Sequence, residues 1–190
     1  MFRDANGLLY EFLKEIGRDM SACGRETPLA HFMGQIDLEA PWLITHLNEL
    51  AKSDFDLLRQ SKPGFHIIHC PRSHAYFSHS PFQFEKLREV GFNICLGTDS
   101  LASNDDLSLL AEMRAFQKKF PDISPEEILK MVTVNAARAL RQENSIGQIR
   151  TGFRADLMAI PVTKSTSVFD EIVGFDRPVS WSMVGSRISA

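Results

Sequence analysis

The sequence predicts an α/β fold built on a parallel sheet, and three observations predict it. Short apolar runs at 42–46, 65–70 and 93–98 are each followed by a segment with the apolar spacing of a helix. The runs show little polar alternation, as expected of strands covered on both faces. Proline or glycine punctuates each one: Pro41, Pro63-Gly64 and Gly91 stand just before them. An α/β barrel and a doubly wound sheet both satisfy this repeat.

Ahead of the repeat, apolar residues at 8, 9, 12, 13 and 16 predict a helix. Thr27-Pro28 before Leu29-Ala30-His31-Phe32-Met33 predicts a second, short helix, with a capping threonine and proline at its first position. The first repeat unit is a strand at 42–46 and a helix at 53–60 bearing Phe55, Leu57 and Leu58. The second is a strand at 65–70, bounded by Pro71, and a helix over 82–90 with Phe84, Leu87 and Val90 on one face. The third is a strand at 93–98 and a helix over 107–120, apolar at 107, 109, 110, 113, 116 and 120. A helix from about 125 to 140 follows, and Ser124 with Glu127 forms a capping box at its start. Beyond it, 146–149, 155–160 and 179–184 read as strands of a small mixed or antiparallel sheet, set apart by Gly152 and Pro178. The expected organisation is a strand–helix region over 1–144 and a smaller sheet subdomain over 145–190.

Composition narrows the partners more than the reaction. The 190 residues are 44% hydrophobic and 24% charged, the balance of an ordinary globular protein. A net charge of −3 without a run of Lys and Arg gives no phosphate-binding surface, so nucleic acid is not an expected partner. No apolar stretch approaches the roughly 20 residues that span a bilayer, and no apolar core follows Met1-Phe2-Arg3-Asp4 as in a signal peptide. The expectation is no membrane partner and a cytoplasmic location. Cys23, Cys70 and Cys95 are odd in number and lack a CxxC spacing, which argues against a disulfide framework and a cysteine zinc site. They are expected as buried thiols in strands.

Functional groups of parallel α/β folds gather at the C-terminal ends of strands. His46, His69 and Asp99 end the three apolar runs. Two imidazoles and a carboxylate on one rim could hold a divalent metal, or move protons for a bound water. Singly, a strand-end histidine also serves as a hydrogen-bonded structural group, and an aspartate before serine turns the chain or caps a helix. Three such residues at equivalent places favour the functional reading.

The local strings resemble a known family. Gly97-Thr98-Asp99-Ser100-Leu101-Ala102-Ser103-Asn104-Asp105 is similar to the eighth-strand signature of the amidohydrolase superfamily. His69-Cys70-Pro71-Arg72-Ser73-His74-Ala75-Tyr76-Phe77 resembles its seventh-strand segment, with His74 where asparagine is usual. Leu43-Ile44-Thr45-His46-Leu47-Asn48-Glu49-Leu50 is similar to the sixth. Downstream, Met131 to Leu140 resembles the helix after the barrel, and Ile146 to Leu157 the "GxIxxGxxADL" return into a flanking β-sandwich.

The resemblance implies a partial (β/α)8 TIM barrel, about strands six to eight, with part of a small β-sandwich. It implies a metal-dependent hydrolase of non-peptide C–N bonds, acting on a small aminated heterocycle or nucleoside, with zinc or iron as cofactor. Asp99 would bind the metal and carry the proton of the attacking water; His46 would orient the hydroxide or oxyanion. His69, Arg72, Ser100 and Asn104 would contact substrate. The family's HxH pair and fifth-strand histidine are missing from this sequence, so the chain is expected to be a truncated part of such an enzyme, binding metal weakly or not at all. Three barrel strands leave open edges, and self-association or pairing with a missing N-terminal half is expected. A chlorohydrolase or ring hydrolase uses similar strings, and a non-catalytic remnant is the alternative from another class. A doubly wound nucleotide-binding domain is disfavoured, because no strand is followed by a glycine-rich turn.

Overall fold

Strands β1 (Leu43–Thr45), β2 (His66–His69) and β3 (Asn93–Leu96) pair in parallel in the order β1-β2-β3, aligning Ile44, Ile67 and Ile94. The computed structural model describes residues 1–61, 64–162, 167–185 and 187–189. The chain is thus α/β with a parallel sheet, as the repeat predicts. Along β2 the burial alternates: Ile67 and His69 are buried, His66 and Ile68 half-buried. One face is therefore packed more fully than the other.

The chain folds into two compact units. One comprises Met1–Trp42, Asn48–Phe65 and Pro81–Phe92 and holds helices α1 (Leu8–Glu15), α2 (Pro28–Met33), α3 (Lys52–Ser61) and α5 (Phe84–Val90). Its buried residues include Leu29, Phe55, Leu58, Phe84 and Leu87, apolar positions that predict α2, α3 and α5, whereas Leu8, Leu9, Phe12 and Ile16 of the α1 segment are exposed. Thr27 caps α2 by accepting from the Ala30 amide, and its hydroxyl also donates to the buried Asp54.

The other unit comprises Leu43–Leu47, His66–Ser80 and Asn93–Ala190. Besides the parallel sheet it holds helices α4 (Pro71–Tyr76), α6 (Leu109–Lys119), α7 (Pro125–Val132), α8 (Val134–Ala139) and α9 (Val168–Gly174). A three-stranded antiparallel sheet of β4 (Leu157–Ala159), β5 (Trp181–Val184) and β6 (Arg187–Ser189) completes it. Met113, Phe116, Ile128 and Met131 bury one face of α6 and α7, and α9 packs against both.

The structure corrects three sequence expectations. The helix expected over 125–140 is broken at Thr133 (φ −120°, ψ −94°), whose hydroxyl donates to the Leu129 carbonyl and competes with the regular ladder. Residues 146–149 are not a strand. Gly147 takes φ +87°, and a Cβ there would lie 2.8 Å from Ala137 Cβ, so the chain turns tightly against α8. Cys95 lies in a strand, but Cys70 starts α4 and Cys23 sits in a turn. Among the described residues no helix is long and apolar enough to cross a membrane.

Candidate functional site

The segments leaving β1, β2 and β3 bring one carboxylate oxygen together with three polar side chains. His46 follows β1 directly. Its amide donates to the Ile68 carbonyl (2.8 Å), extending the ladder by one residue, and the chain then turns through left-handed conformations at His46 (φ 72°) and Leu47 (φ 48°). Asp99, beyond β3, is left-handed too (φ 59°). Such backbone costs a residue with a side chain about 1–3 kcal/mol, and it recurs at functional sites.

Those turns place His46 Nε2 3.7 Å from Asp99 Oδ2. The same oxygen accepts hydrogen bonds from the hydroxyls of Ser73 (2.6 Å), on α4, and Ser103 (2.9 Å). The Ser73 hydroxyl most strongly, then Ser103, the Ser100 amide and His46, hold the Asp99 carboxyl below the usual carboxylate range, against its partial burial. Asp99 is therefore ionised at neutral pH, with 28% of its side chain still open to solvent.

His69 ends β2 but is only 3% exposed. Its ring lies 5.2 Å from that of His74 and 6.1 Å from Phe116. Burial above all, with His74 and His46 adding to it, pushes its pKa down to about 3, so it is a neutral imidazole at physiological pH. His74 donates from Nε2 to the Ser80 carbonyl (2.9 Å).

Arg72 forms ion pairs with Asp105 (3.1 Å) and Asp106, with 19% of its side chain exposed. Ser100 lies in the turn after Asp99, its hydroxyl accepting from the Ala102 amide (3.3 Å) and its carbonyl from the Ser103 amide (3.1 Å). Asn104 points inward and donates from Nδ2 to Thr98 O (2.8 Å) and to Glu112 Oε1 (2.6 Å). Arg72, Tyr76, Leu101, Ser103 and Asp105 border a depression of about 550 Å³.

His46 and Asp99 thus meet, His69 is buried beside His74 and Phe116, and Arg72 and Asn104 engage protein carboxylates. Three participants escape the sequence reading. Ser73 and Ser103 look like ordinary loop serines, and only their place inside the two recognised strings marks them. Glu112 is fully buried on α6. The signal for it is a carboxylate one residue before Met113 and three after Leu109, within the apolar stripe.

Among the described residues, no group of three or more His, Cys, Asp and Glu side chains converges so as to hold a metal ion. Asp99 suits one position of a ligand shell; the side chains present do not make a whole one. Cys70 and Cys95 offer no thiolate, since burial pushes their thiols up to about 12 and 11.

Gly97 links β3 to this loop, and a Cβ there would come within 2.7 Å of Ile68 Cγ2, on a stiff β-branched side chain. Gly97→Ala is expected to cost about 1–3 kcal/mol of stability, read from urea unfolding. An unchanged midpoint would show that the strand end can give way.

The model of the amidohydrolase family matches residues 25–179. A 5-methylthioadenosine/S-adenosylhomocysteine deaminase of Halalkalibacterium halodurans is 37% identical over 142 residues, 70% of this chain and 32% of the relative. An aminofutalosine deaminase of Helicobacter pylori, solved with methylthio-coformycin, superposes with a TM-score of 0.79 at 22% identity, covering 100% of this chain and 47% of its own. An adenosine deaminase of Xanthomonas campestris, solved with bound zinc, superposes with a TM-score of 0.74 at 21% identity, covering 94% and 42%. The chain spans about a third of the curated relative and less than half of either solved enzyme.

Proposed function

The chain belongs to the amidohydrolase family, and from that membership we propose that it supplies part of the active site of a hydrolytic deaminase of an aminated heterocycle or nucleoside. The observation carrying this reading is the meeting of His46, Ser73, Ser103 and Asp99 from the C-terminal ends of three parallel strands.

In the reaction a water oxygen bonds to the ring carbon and the exocyclic C–N bond breaks, releasing ammonia. Asp99 accepts the water's proton and returns it to the leaving nitrogen, while His46 hydrogen-bonds the oxygen on the tetrahedral carbon. The Ser73 and Ser103 hydroxyls fix the carboxylate while it does so. The heterocycle lies in the depression that Arg72, Tyr76, Leu101 and Asn104 line, with Arg72, Asn104, Ser100 and His69 as its proposed contacts. Zinc or iron would supply an acidified water, with Asp99 as one carboxylate ligand.

The proposal extends to architecture. Residues 1–144 are read as the last strand–helix units of a barrel and 145–190 as part of a small sandwich. The enzyme is cytoplasmic, its ligand is a small molecule, and the short β1–β3 sheet is completed by self-association or by a separate barrel portion.

The test is ammonia release from purine and pyrimidine nucleosides with added zinc. The chain is assayed alone and joined to the portion of a relative that it does not cover. Activity in the joined protein, lost when Asp99 is replaced, supports the reading. A joined protein that folds and binds zinc but deaminates nothing overturns it. The second reading, a non-catalytic interaction remnant, is favoured by the shortage of metal donors among the described residues, and that same outcome would support it.

A further inference from the structure

Glu112 is completely buried on α6, yet it is a carboxylate. Its Oε2 accepts from the Arg72 backbone amide (3.0 Å) and its Oε1 from Asn104 Nδ2 (2.6 Å). Arg72 Nη1 stands 4.0 Å from Oε1. Each residue it holds is the chain neighbour of a serine that donates to Asp99: Arg72 precedes Ser73, and Asn104 follows Ser103.

We propose that Glu112 is a positioning residue, whose two oxygens each hold one of the segments carrying Ser73 and Ser103 and thereby aim both hydroxyls at Asp99 Oδ2. The geometry of Asn104 supports this. Its amide nitrogen bridges Thr98 O and Glu112, while its own Oδ1 is buried without a hydrogen bond among the described residues, so its orientation answers to those two acceptors. A buried carboxylate is costly unless donors surround it. Glu112 therefore ties a segment after β2 to one after β3 more tightly than an apolar residue at that position would. Arg72, paired outward to Asp105 and Asp106, lies over this clamp.

The proposal rests on Asp99 as the reacting carboxylate, but its test needs no turnover. In the isotope-labelled chain, scalar couplings report the χ1 rotamers of Ser73 and Ser103, and both serines are expected in a single rotamer. Glu112→Gln, which turns an acceptor into a donor facing Arg72 N–H or Asn104 Nδ2, is expected to leave both serines rotationally averaged. Asn104→Ala removes one arm and is expected to free Ser103 while Ser73 stays fixed. A folded Glu112→Gln protein with both rotamers intact would overturn the proposal. Should that variant fail to fold, an Asn104→Ala chain in which Ser103 keeps its rotamer overturns it equally.

In the deamination assay, Glu112→Gln should lower kcat by about 10–100-fold with KM little changed. Absence of activity in the unsubstituted protein would count against the deaminase reading alone and leave the rotamer result standing.

Discussion

In the joined protein, on the proposed deaminase reading, replacing Asp99 by asparagine should lower kcat for ammonia release by about 10²–10⁴-fold, the contribution typical of a positioned general acid–base group. The substitution isolates the charge. Asparagine tolerates the left-handed backbone at this position as aspartate does, and its amide oxygen can still accept from the Ser73 and Ser103 hydroxyls at the place where Oδ2 accepts them now. The lost property is a carboxylate that takes and returns a proton. Stability by urea unfolding should fall by about 1 kcal/mol, because the hydrogen bonds that hold the carboxyl low favour its ionised form in the fold. A variant that keeps more than a tenth of kcat would remove Asp99 from the reaction.

The second large effect is on stability in acid. His69 is buried and its pKa is pushed down from 6.5 to about 3, so the folded chain leaves it neutral over a range where the unfolded chain protonates it. A depressed pKa of this kind contributes stability that is fully present above 6.5. It is lost as pH falls from there towards about 3, with a slope of roughly 1.4 kcal/mol per pH unit. Across the window this amounts to several kcal/mol, a large fraction of the stability of a domain this size. His69→Gln keeps a neutral polar group and removes the titration. Urea unfolding between pH 7.5 and 4.5 should therefore show a shallower decline in His69→Gln than in the parent. Asp99, held low by Ser73 and Ser103, and Glu112, pushed up by burial against Arg72 and Asn104, titrate in both proteins and cancel in the difference. Parallel curves for the two proteins would show that His69 is hydrated in the folded state.

Both effects trace to residues that the sequence points out, though it does not say how each is used. Strands β1 to β3 are legible to within one or two residues because proline and glycine punctuate apolar runs. The family strings mark His46 and Asp99. Periodicity fails on short elements: α4 follows Pro71 at once, so that a helix-starting proline reads as a strand stop. The 7-residue α9, with Val168, Phe169, Ile172 and Val173 at helical spacing, is too short to stand out. Side-chain roles fare worse. Arg72 and Asn104 stand where the string places substrate contacts, and it does not show that a buried Glu112, 8 residues beyond Asn104, also takes up the backbone amide of one and the side-chain amide of the other. Nothing local in the string reveals a partner that only the packing of α6 supplies.

The left-handed turns at His46 and Asp99 have a consequence for evolution in the laboratory. Glycine would adopt φ 72° and 59° without steric penalty, relieving strain of about 1 kcal/mol at either place. At Asp99 the exchange also removes the acceptor of the Ser73 and Ser103 hydroxyls, so a library sorted only for heat resistance should enrich glycine at His46 first and return sturdier proteins that lack the imidazole of the proposed site. Sorting for turnover should restore the imidazole and the carboxylate and accept a softer fold.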